Sequence, residues 1–250
     1  MKLHLSLKTK VGIWILVGFL SPGMAWAQIE SEKNDPYALV EVEVSQDYLA
    51  SYKARRETHG IYYGVQYEPL VLSKYASTTQ PGLKYKDLFG DEPIGLIRFN
   101  VDYKYNFALG SLAAGIDLAT GSVSGSKSGS SMSLDVTKMG ANFQFTLDML
   151  MDEPYAAPYF GLNLWQMELS EKSPADSFSA TTQMGYNYML GVLVQLNWID
   201  SEVAKDATFN FGLENTYLDL YITQYAKTES ASDPNTETDF LYGAGIRLEF

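Results

Sequence analysis

The chain has 250 residues, no cysteine and a formal net charge of −12 at pH 7. The absence of cysteine excludes a disulfide framework and a thiolate metal site. An acidic chain also binds nucleic acid poorly and lacks the basic patch through which a protein docks on an anionic membrane. We therefore expect neither nucleic-acid binding nor docking of this kind.

Residues 1–27 are predicted to be a cleaved secretory signal. The basic stretch "MKLHLSLKTK" precedes the apolar run "VGIWILVGFL", and Ala25, Trp26 and Ala27 form a small-x-small cleavage pattern. The apolar run is too short for a membrane-spanning helix, which needs about 20 residues. Removal of three lysines leaves a charge of −15 on a chain that starts at Gln28, which offers no thiol for a lipid anchor.

Residues 28–58 are predicted to be an N-terminal periplasmic segment. Part of it, "ALVEVEVSQDYLASYKARR" (38–56), alternates like a strand, but a ninth strand would break the even number that single-chain bacterial barrels use. Either residues 38–56 are a strand and a tenth strand lies within residues 76–93, or residues 38–56 lie in the periplasm or against the inner end of a barrel. The location outside the barrel wall is favoured, because Pro81, Gly82, Gly90 and Pro93 would break a strand within residues 76–93.

Eight segments of the remaining chain alternate between apolar and polar residues, which is typical of half-buried strands. The clearest is "IRFNVDYKYNFAL" (97–109), whose thirteen residues greatly exceed the roughly 5–6 of common soluble strands. The other seven segments cover residues 60–75, 111–121, 135–150, 157–169, 184–198, 207–225 and 240–250. The alternation slips near Thr137 and Glu214, which predicts β-bulges there, and the direction of Trp165 stays open.

Connectors between these segments alternate in length. Those after the odd-numbered segments are longer, polar and rich in Ser, Thr, Pro and Gly, and the run from Gly121 to Ser131 is interpreted as a flexible loop. Long outer loops and short periplasmic turns are the pattern of a membrane barrel whose strands cross in succession. The sequence therefore predicts an all-β, up-and-down antiparallel transmembrane barrel over residues 59–250, with eight strands or alternatively ten.

Alternation alone fits both a soluble barrel with an apolar interior and a membrane barrel with an apolar exterior. Three features favour the membrane barrel. Glycines, amides and opposite charges share the polar faces, which suits a narrow lumen. Aromatic residues such as Tyr67 and Trp198 lie near strand ends, and the strands are long enough to cross a bilayer. In hydrocarbon every backbone amide must be hydrogen-bonded within the protein, so the sheet must close into a barrel with no free edge.

The last eight residues, Gly243 to Phe250, resemble the C-terminal signal of outer-membrane β-barrel proteins. Gly245, Leu248 and Phe250 match that signal, whereas Gly243 replaces a more usual polar residue. With the signal peptide and the eight segments, the chain resembles the small eight-stranded barrels of the OmpA, OmpX and OmpW type. The resemblance implies that the barrel assembly machinery reads this last strand, which then pairs with the first strand to close the barrel. We expect the protein to be a monomer in the outer membrane, in contact with its lipid and lipopolysaccharide.

Charged residues on the polar faces are expected to point into the lumen. They are Glu68, Arg98, Asp102, Lys104, Asp117, Asp148, Glu214, Arg247 and Glu249. Two interpretations are open: an ion-pair network that plugs the lumen, which is favoured because side chains fill an eight-stranded barrel, and a narrow conducting path lined by the same groups.

No catalytic, cofactor-binding or metal-binding residues are predicted. After residue 27 the sequence holds one histidine, His59, near the periplasmic end, whereas the lipid A deacylases, palmitoyltransferases and omptins of the outer membrane resemble one another in using a histidine near the outer rim. The remaining candidate metal ligands are carboxylates of the acidic loops, which would suit calcium.

The expected function is a non-catalytic envelope or surface-contact role. The alternatives are a narrow channel for small solutes, a lipid-modifying enzyme and a soluble periplasmic binder.

Overall fold

The computed structural model describes residues 50–127 and 130–250. The predicted signal sequence and residues 28–49 lie outside the described residues. In chain order the elements are α1 (Tyr52–Arg55), β1 (His59–Leu70), α2 (Tyr85–Phe89), β2 (Ile94–Phe107), β3 (Gly110–Lys127), β4 (Ser130–Thr146), β5 (Ala156–Lys172), β6 (Ser177–Thr181), β7 (Gly185–Gln195), α3 (Ser201–Phe211), β8 (Asn215–Tyr225) and β9 (Leu241–Glu249).

The strands form one closed antiparallel barrel. Each pairs with its neighbours in chain order, and β1 pairs with β9, which joins the two ends of the sheet. Short β6 pairs with residues 168–172 of β5 and β7 with residues 156–165, so β6 and β7 together occupy one position in the barrel. The barrel therefore has eight strands, as predicted. The ten-stranded alternative is wrong, because residues 76–93 contain α2 and no strand.

None of the helices among the described residues is long and apolar enough to cross a membrane.

The outer face of the barrel carries a belt of exposed apolar side chains. Phe99 is 52 % exposed, Ile116 70 % and Leu190 57 %, while residues beside them in sequence, such as Arg98 and Asp117, are buried in the lumen. Exposed apolar residues line all eight strand positions, and the rings of Tyr103 and Tyr105 pack against His59 at the edge where the chain enters β1. Strands in a hydrocarbon layer require this arrangement, so the predicted inversion is confirmed over this part of the barrel.

Above the belt the polarity of the two faces reverses. On β3 the outward residues change from Ile116 and Leu118 to Thr120, Ser122 and Ser124, although pairing with β4 continues without a break. The inward residues become apolar and form a core of Leu70, Leu72, Tyr75, Tyr85, Leu88, Phe89, Ile94, Leu96, Ala119, Val123, Met132, Leu134, Val136, Trp165, Met167, Leu169, Tyr225 and Leu241. We call this part the extracellular extension, and the opposite end of the barrel the periplasmic end, after the orientation proposed below. The extension has the inside-apolar order of a soluble barrel.

The reversal explains two predictions that are wrong. The slip near Thr137 is not a β-bulge, since Thr137 pairs in register with Thr120 and Glu168. Instead, apolar residues change from the inner face at Val136 to the outer face at Met139. The stretch from Gly121 to Ser131, interpreted as a flexible loop, belongs to β3 and β4 apart from residues 128–129, which lie outside the described residues.

The connector between β7 and β8 also differs from the prediction. It spans residues 196–214 and contains α3, where the sequence predicted a short turn and a strand from residue 207. Asp200 caps the helix by accepting a hydrogen bond from the Val203 amide at 3.1 Å, and Gly212 ends it in the left-handed region with φ 70°. Because Glu214 precedes β8, no bulge exists there either.

Candidate functional site: a filled lumen and an extracellular cap

The lumen below the apolar core is filled mainly by polar side chains, together with a second, smaller apolar cluster. Arg98, Asp117 and Arg247 are each 3 % exposed, and Asn163 and Asp219 are completely buried. An eight-stranded barrel leaves an interior that is just wide enough for side chains, and these occupy it.

Asp117 organises the middle of the lumen. Its carboxylate lies 3.1 Å from Arg98 Nε and 3.2 Å from Lys138 Nζ, and it accepts a hydrogen bond from Asn163 Nδ2 at 2.6 Å. Arg98 also donates to Asn142 Oδ1 at 2.7 Å. A buried charge is tolerated when it is both paired and hydrogen-bonded, and this cluster connects β2, β3, β4 and β5.

Two further groups involve inward-facing tyrosines. Arg247 lies 2.6 Å from Asp219, which also accepts a hydrogen bond from the Tyr159 hydroxyl at 2.8 Å. Glu68 accepts hydrogen bonds from Tyr225 at 2.5 Å and Tyr221 at 3.1 Å. Tyrosine supplies both bulk and a donor, which suits a lumen that must be filled and whose carboxylates must be satisfied.

The periplasmic mouth is closed by residues that precede β1. Tyr52 of α1 is fully buried and donates from its hydroxyl to Glu249 at 2.6 Å. Lys104 Nζ lies 2.5 Å from Glu249 and 2.8 Å from Asp148, and Arg56 lies 2.8 Å from Asp148. The described end of the N-terminal segment thus packs into the barrel's inner end.

The structure places eight of the nine charged residues expected in the lumen on its inner side; Glu214 is the exception. Glu68, Arg98, Asp102, Lys104, Asp117, Asp148, Arg247 and Glu249 are each at most 3 % exposed. Glu214 lies in the connector after α3, half-buried, and pairs with Arg55 at the periplasmic rim. Asp102 accepts hydrogen bonds from the side-chain amides of Asn100 and Asn142.

Sequence reasoning missed Lys138, Asp219 and the inward tyrosines. Lys138 lies in the segment whose alternation slips, so its face could not be assigned. Asp219 alternates with Leu218 and Leu220, a signal that was available in "YLDLY". The tyrosines were expected mainly at the lipid interface, and sequence alternation alone does not say that their hydroxyls meet buried carboxylates.

A loop covers the top of the extracellular extension. Between β1 and β2, residues 71–93 fold back so that Tyr75, Leu88 and Phe89 join the apolar core. The backbone carbonyl of Leu88 would lie 2.3 Å from a Cβ at position 125, so Gly125 of β3 permits this close approach. We call residues 71–93 the cap.

Glu171 attaches the cap to β5. Its buried carboxylate accepts hydrogen bonds from Tyr75 OH and Thr79 Oγ1 at 2.6 Å, from Ser77 Oγ at 2.5 Å and from the Thr78 amide at 3.0 Å. Glu171 lies beyond the membrane, because the outward residues of β5 are polar from Gln166 onward. One carboxylate thus holds four donors of the cap.

The hydrogen bonds to Glu171 set its pKa. Desolvation of the carboxyl acts to raise its pKa, but the donors of Ser77, Thr79 and Tyr75 and the Thr78 amide outweigh it. The pKa of Glu171 is therefore held below its ordinary value of about 4.5, and the group is ionised at neutral pH.

Within residues 50–127 and 130–250, no group of three or more His, Asp or Glu side chains is arranged to hold a metal ion. His59 is exposed at the periplasmic edge, where its Nδ1 lies 2.5 Å from the Tyr103 hydroxyl. A histidine in this position belongs to the aromatic rim of the belt.

The closing strand contains the residues that resemble the assembly signal. Gly245 and Leu248 lie on β9, which pairs with β1, and the Phe250 carbonyl accepts a hydrogen bond from the Ile61 amide at 2.7 Å. Gly243, the departure from the usual pattern, has a local cause: the Tyr221 ring lies 2.2 Å from where its Cβ would be, so a side chain there would displace the tyrosine.

Comparison with known proteins gives neighbours in fold. No known protein-family profile matches the chain, and no curated protein matches its sequence. Among solved structures, Neisserial surface protein A (NspA) is 14% identical with a TM-score of 0.43, covering 78% of this chain and 98% of that one. Ail, the attachment invasion locus protein of Yersinia pestis, is 13% identical with a TM-score of 0.41, covering 78% and 100%. Both are small outer-membrane barrels to which the chain is similar. Its own eight-stranded closure is shown by the pairing of β1 with β9.

Proposed function

We propose that the protein is a monomeric, non-catalytic outer-membrane barrel that makes contacts at the cell surface. The observation that carries this proposal is the extracellular extension, a closed and capped barrel top with its own apolar core. From Thr120 to Lys127, β3 continues for roughly 23 Å at about 3.3 Å per residue. A projection with a polar outside suits contact with other molecules outside the membrane.

The filled lumen supports a contact role over a channel. Side chains that would line a conducting path, such as Arg98, Lys104 and Asp219, are at most 3 % exposed. Their partners lie on several different strands, so opening a path would break many buried ion pairs together.

The proposal includes the biogenesis that the sequence indicates. Residues 1–27 direct export and are removed, and the assembly machinery reads β9 through Gly245, Leu248 and Phe250. The apolar belt then contacts outer-membrane lipid and the acyl chains of lipopolysaccharide.

Surface labelling tests the proposal directly. The natural chain contains no cysteine, so a single Ser124→Cys change on the outward face of β3 gives one reactive site. A membrane-impermeant maleimide should label this variant on intact cells, whereas Asp152→Cys in the periplasmic connector should be labelled only after the outer membrane is opened. Labelling of both sites, or of neither, on intact cells would overturn the proposed orientation.

Conductance measurements separate the contact role from the channel. Purified protein in a planar bilayer should leave the membrane electrically sealed, because the lumen is filled. Regular single-channel steps that respond to Lys104→Ala would instead establish the narrow channel as the function.

A further inference from the structure

The periplasmic connector that contains α3 carries apolar side chains that no other part of the described chain covers. Ile199 is 65 % exposed, Val203 62 % and Phe211 77 %, and none of the residues of α3 is buried within residues 50–127 and 130–250. A helix with no buried residue gains little from packing and needs another environment for its apolar side.

These apolar residues form a single row. Ile199, Val203, Ala207 and Phe211 follow one another at intervals of four, which places Val203, Ala207 and Phe211 along one side of the helix. Glu202 and Lys205 point to other sides. Phe209 also points away from the row, because two residues along a helix are separated by about 200°.

The row faces the foot of the lipid-exposed barrel wall. Val203 and Ala207 line a cavity of about 310 Å³ together with Leu196, the first residue after β7, and Thr216, which lies on the outward face of β8. The other side of α3 is different: Ser201, Lys205 and Thr208 line a second, more polar cavity with Arg55 and Glu153 at the periplasmic rim. The apolar row is therefore continuous with the apolar belt, and the polar side is continuous with the periplasmic mouth.

We propose that α3 is an interfacial anchor, whose row Ile199, Val203, Ala207 and Phe211 lies in the periplasmic phospholipid leaflet of the outer membrane. The inference rests on the proposed transmembrane orientation of the barrel. An amphipathic helix in this position lies in the plane of the interface, with its apolar side about 5–10 Å into the boundary between headgroups and acyl chains. Trp198, 62 % exposed at the start of the connector, has the amphipathic ring that favours the same depth.

Site-specific fluorescence tests the position of the helix. Single cysteines are introduced at Val203, Ala207, Glu202 and Phe209 of the full-length protein, labelled with an environment-sensitive fluorophore, and reconstituted in phosphatidylethanolamine–phosphatidylglycerol vesicles containing lipids with a nitroxide on the upper acyl chain. We expect quenching at positions 203 and 207 to exceed that at positions 202 and 209 by about twofold or more, as shallow insertion on one side requires.

Two control positions separate the inference from the orientation on which it rests. Leu190→Cys on the belt should be quenched strongly and Ser124→Cys on the extracellular extension should not. If Leu190→Cys is not quenched, the transmembrane assignment itself fails. If Leu190→Cys is quenched but the four positions on α3 are quenched equally or not at all, the anchor alone is overturned.

A matched pair of substitutions tests whether the apolar row is the part of α3 that enters the lipid. Phe211→Asn should lower the quenching at position 203, whereas Phe209→Asn, a change of the same size two residues away, should leave it unchanged. Each variant is accepted only if it still shows the folded mobility of the unheated barrel on a gel. Equal effects of both changes, or an effect of Phe209→Asn alone, would contradict insertion through the row.

Discussion

The membrane belt and the extracellular extension belong to the same barrel but place their apolar residues on opposite sides. In the belt, Ile116 faces lipid while Asp117 lies in an ion-pair cluster; on the same strand above it, Ser124 faces water while Val123 lies in an apolar core. The backbone pairing does not change at the boundary.

The difference shows that the surroundings of the barrel wall, lipid or water, decide whether its interior is polar or apolar. In the belt, lipid tails are as apolar as the side chains, so the outer face gives no driving force for compaction and the lumen must be held by ion pairs and hydrogen bonds. In the extension, water surrounds the wall and an apolar core is stabilised by the hydrophobic effect. Four pairs of substitutions on β3, β4 and β5, each a change with its control, test this comparison.

Removal of the central lumen carboxylate should have the largest effect. Asp117→Ala leaves Arg98 and Lys138 buried without their shared partner, and we expect a loss of about 3–5 kcal/mol in the free energy of unfolding. Asp135→Ala is the matched control, because Asp135 pairs with Lys172 on the exposed outside of the extension; it should change stability by less than about 0.5 kcal/mol. Urea titration of the reconstituted barrel measures both, and similar losses would contradict the comparison.

Truncation of the extracellular core should come next. Leu134 is fully buried, and Leu134→Ala should cost about 2–5 kcal/mol through lost burial and a cavity. Leu112→Ala, which shortens a leucine that faces lipid, should cost less than about 1 kcal/mol because lipid fills the space. A large effect at Leu112 in the same unfolding assay would mean that its face is packed against protein.

A charge on the outer wall should be harmful in one region and harmless in the other. Ile116→Arg places a guanidinium in the belt and should cost about 2–4 kcal/mol if the position lies near the bilayer centre. Ser124→Arg, on the same face of the same strand, should be neutral to within about 0.5 kcal/mol. Comparable stabilities of the two variants in vesicles would place the membrane boundary elsewhere.

Loss of the Glu171 contacts should have the smallest effect and should depend on pH. Glu171→Gln leaves some of the four cap donors without an acceptor, and we expect cap opening to become easier by about 1.5–3 kcal/mol at pH 7. Because the folded-state pKa of Glu171 lies below its ordinary value, its stabilisation is present above about pH 4.5 and is lost as the pH falls through the folded pKa.

Hydrogen exchange at the Thr78 amide measures this opening. The natural protein should lose protection on acidification, and Glu171→Gln should show little further change. Glu168→Gln, on the exposed outer face of β5, serves as the control and should behave like the natural protein. A pH dependence that persists in Glu171→Gln would assign the effect to another group.

Much of the fold was predictable from the alternation in the sequence, but the rule of connector lengths was only partly correct. Alternation located all eight barrel positions, and the lumen position of residues such as Arg98 and Lys104 followed from it. The rule of long outer and short inner connectors held only in part, since β3 and β4 continue through the Ser- and Gly-rich stretch and residues 196–214 contain α3. Phe209 and Phe211 produced a strand-like pattern within that helix.

The sequence by itself determined where the strands run and which side of each faces lipid in the belt, because period two is a local property of the chain in a strand. Tertiary structure decided where that order reverses, as between Val136 and Met139, since a residue's environment depends on what the other strands and the cap place beside it. It also decided the contacts between Glu171 and the cap and between Lys138 and Asp117. These partners lie far apart in the chain, and only closure of the barrel brings them within hydrogen-bonding distance.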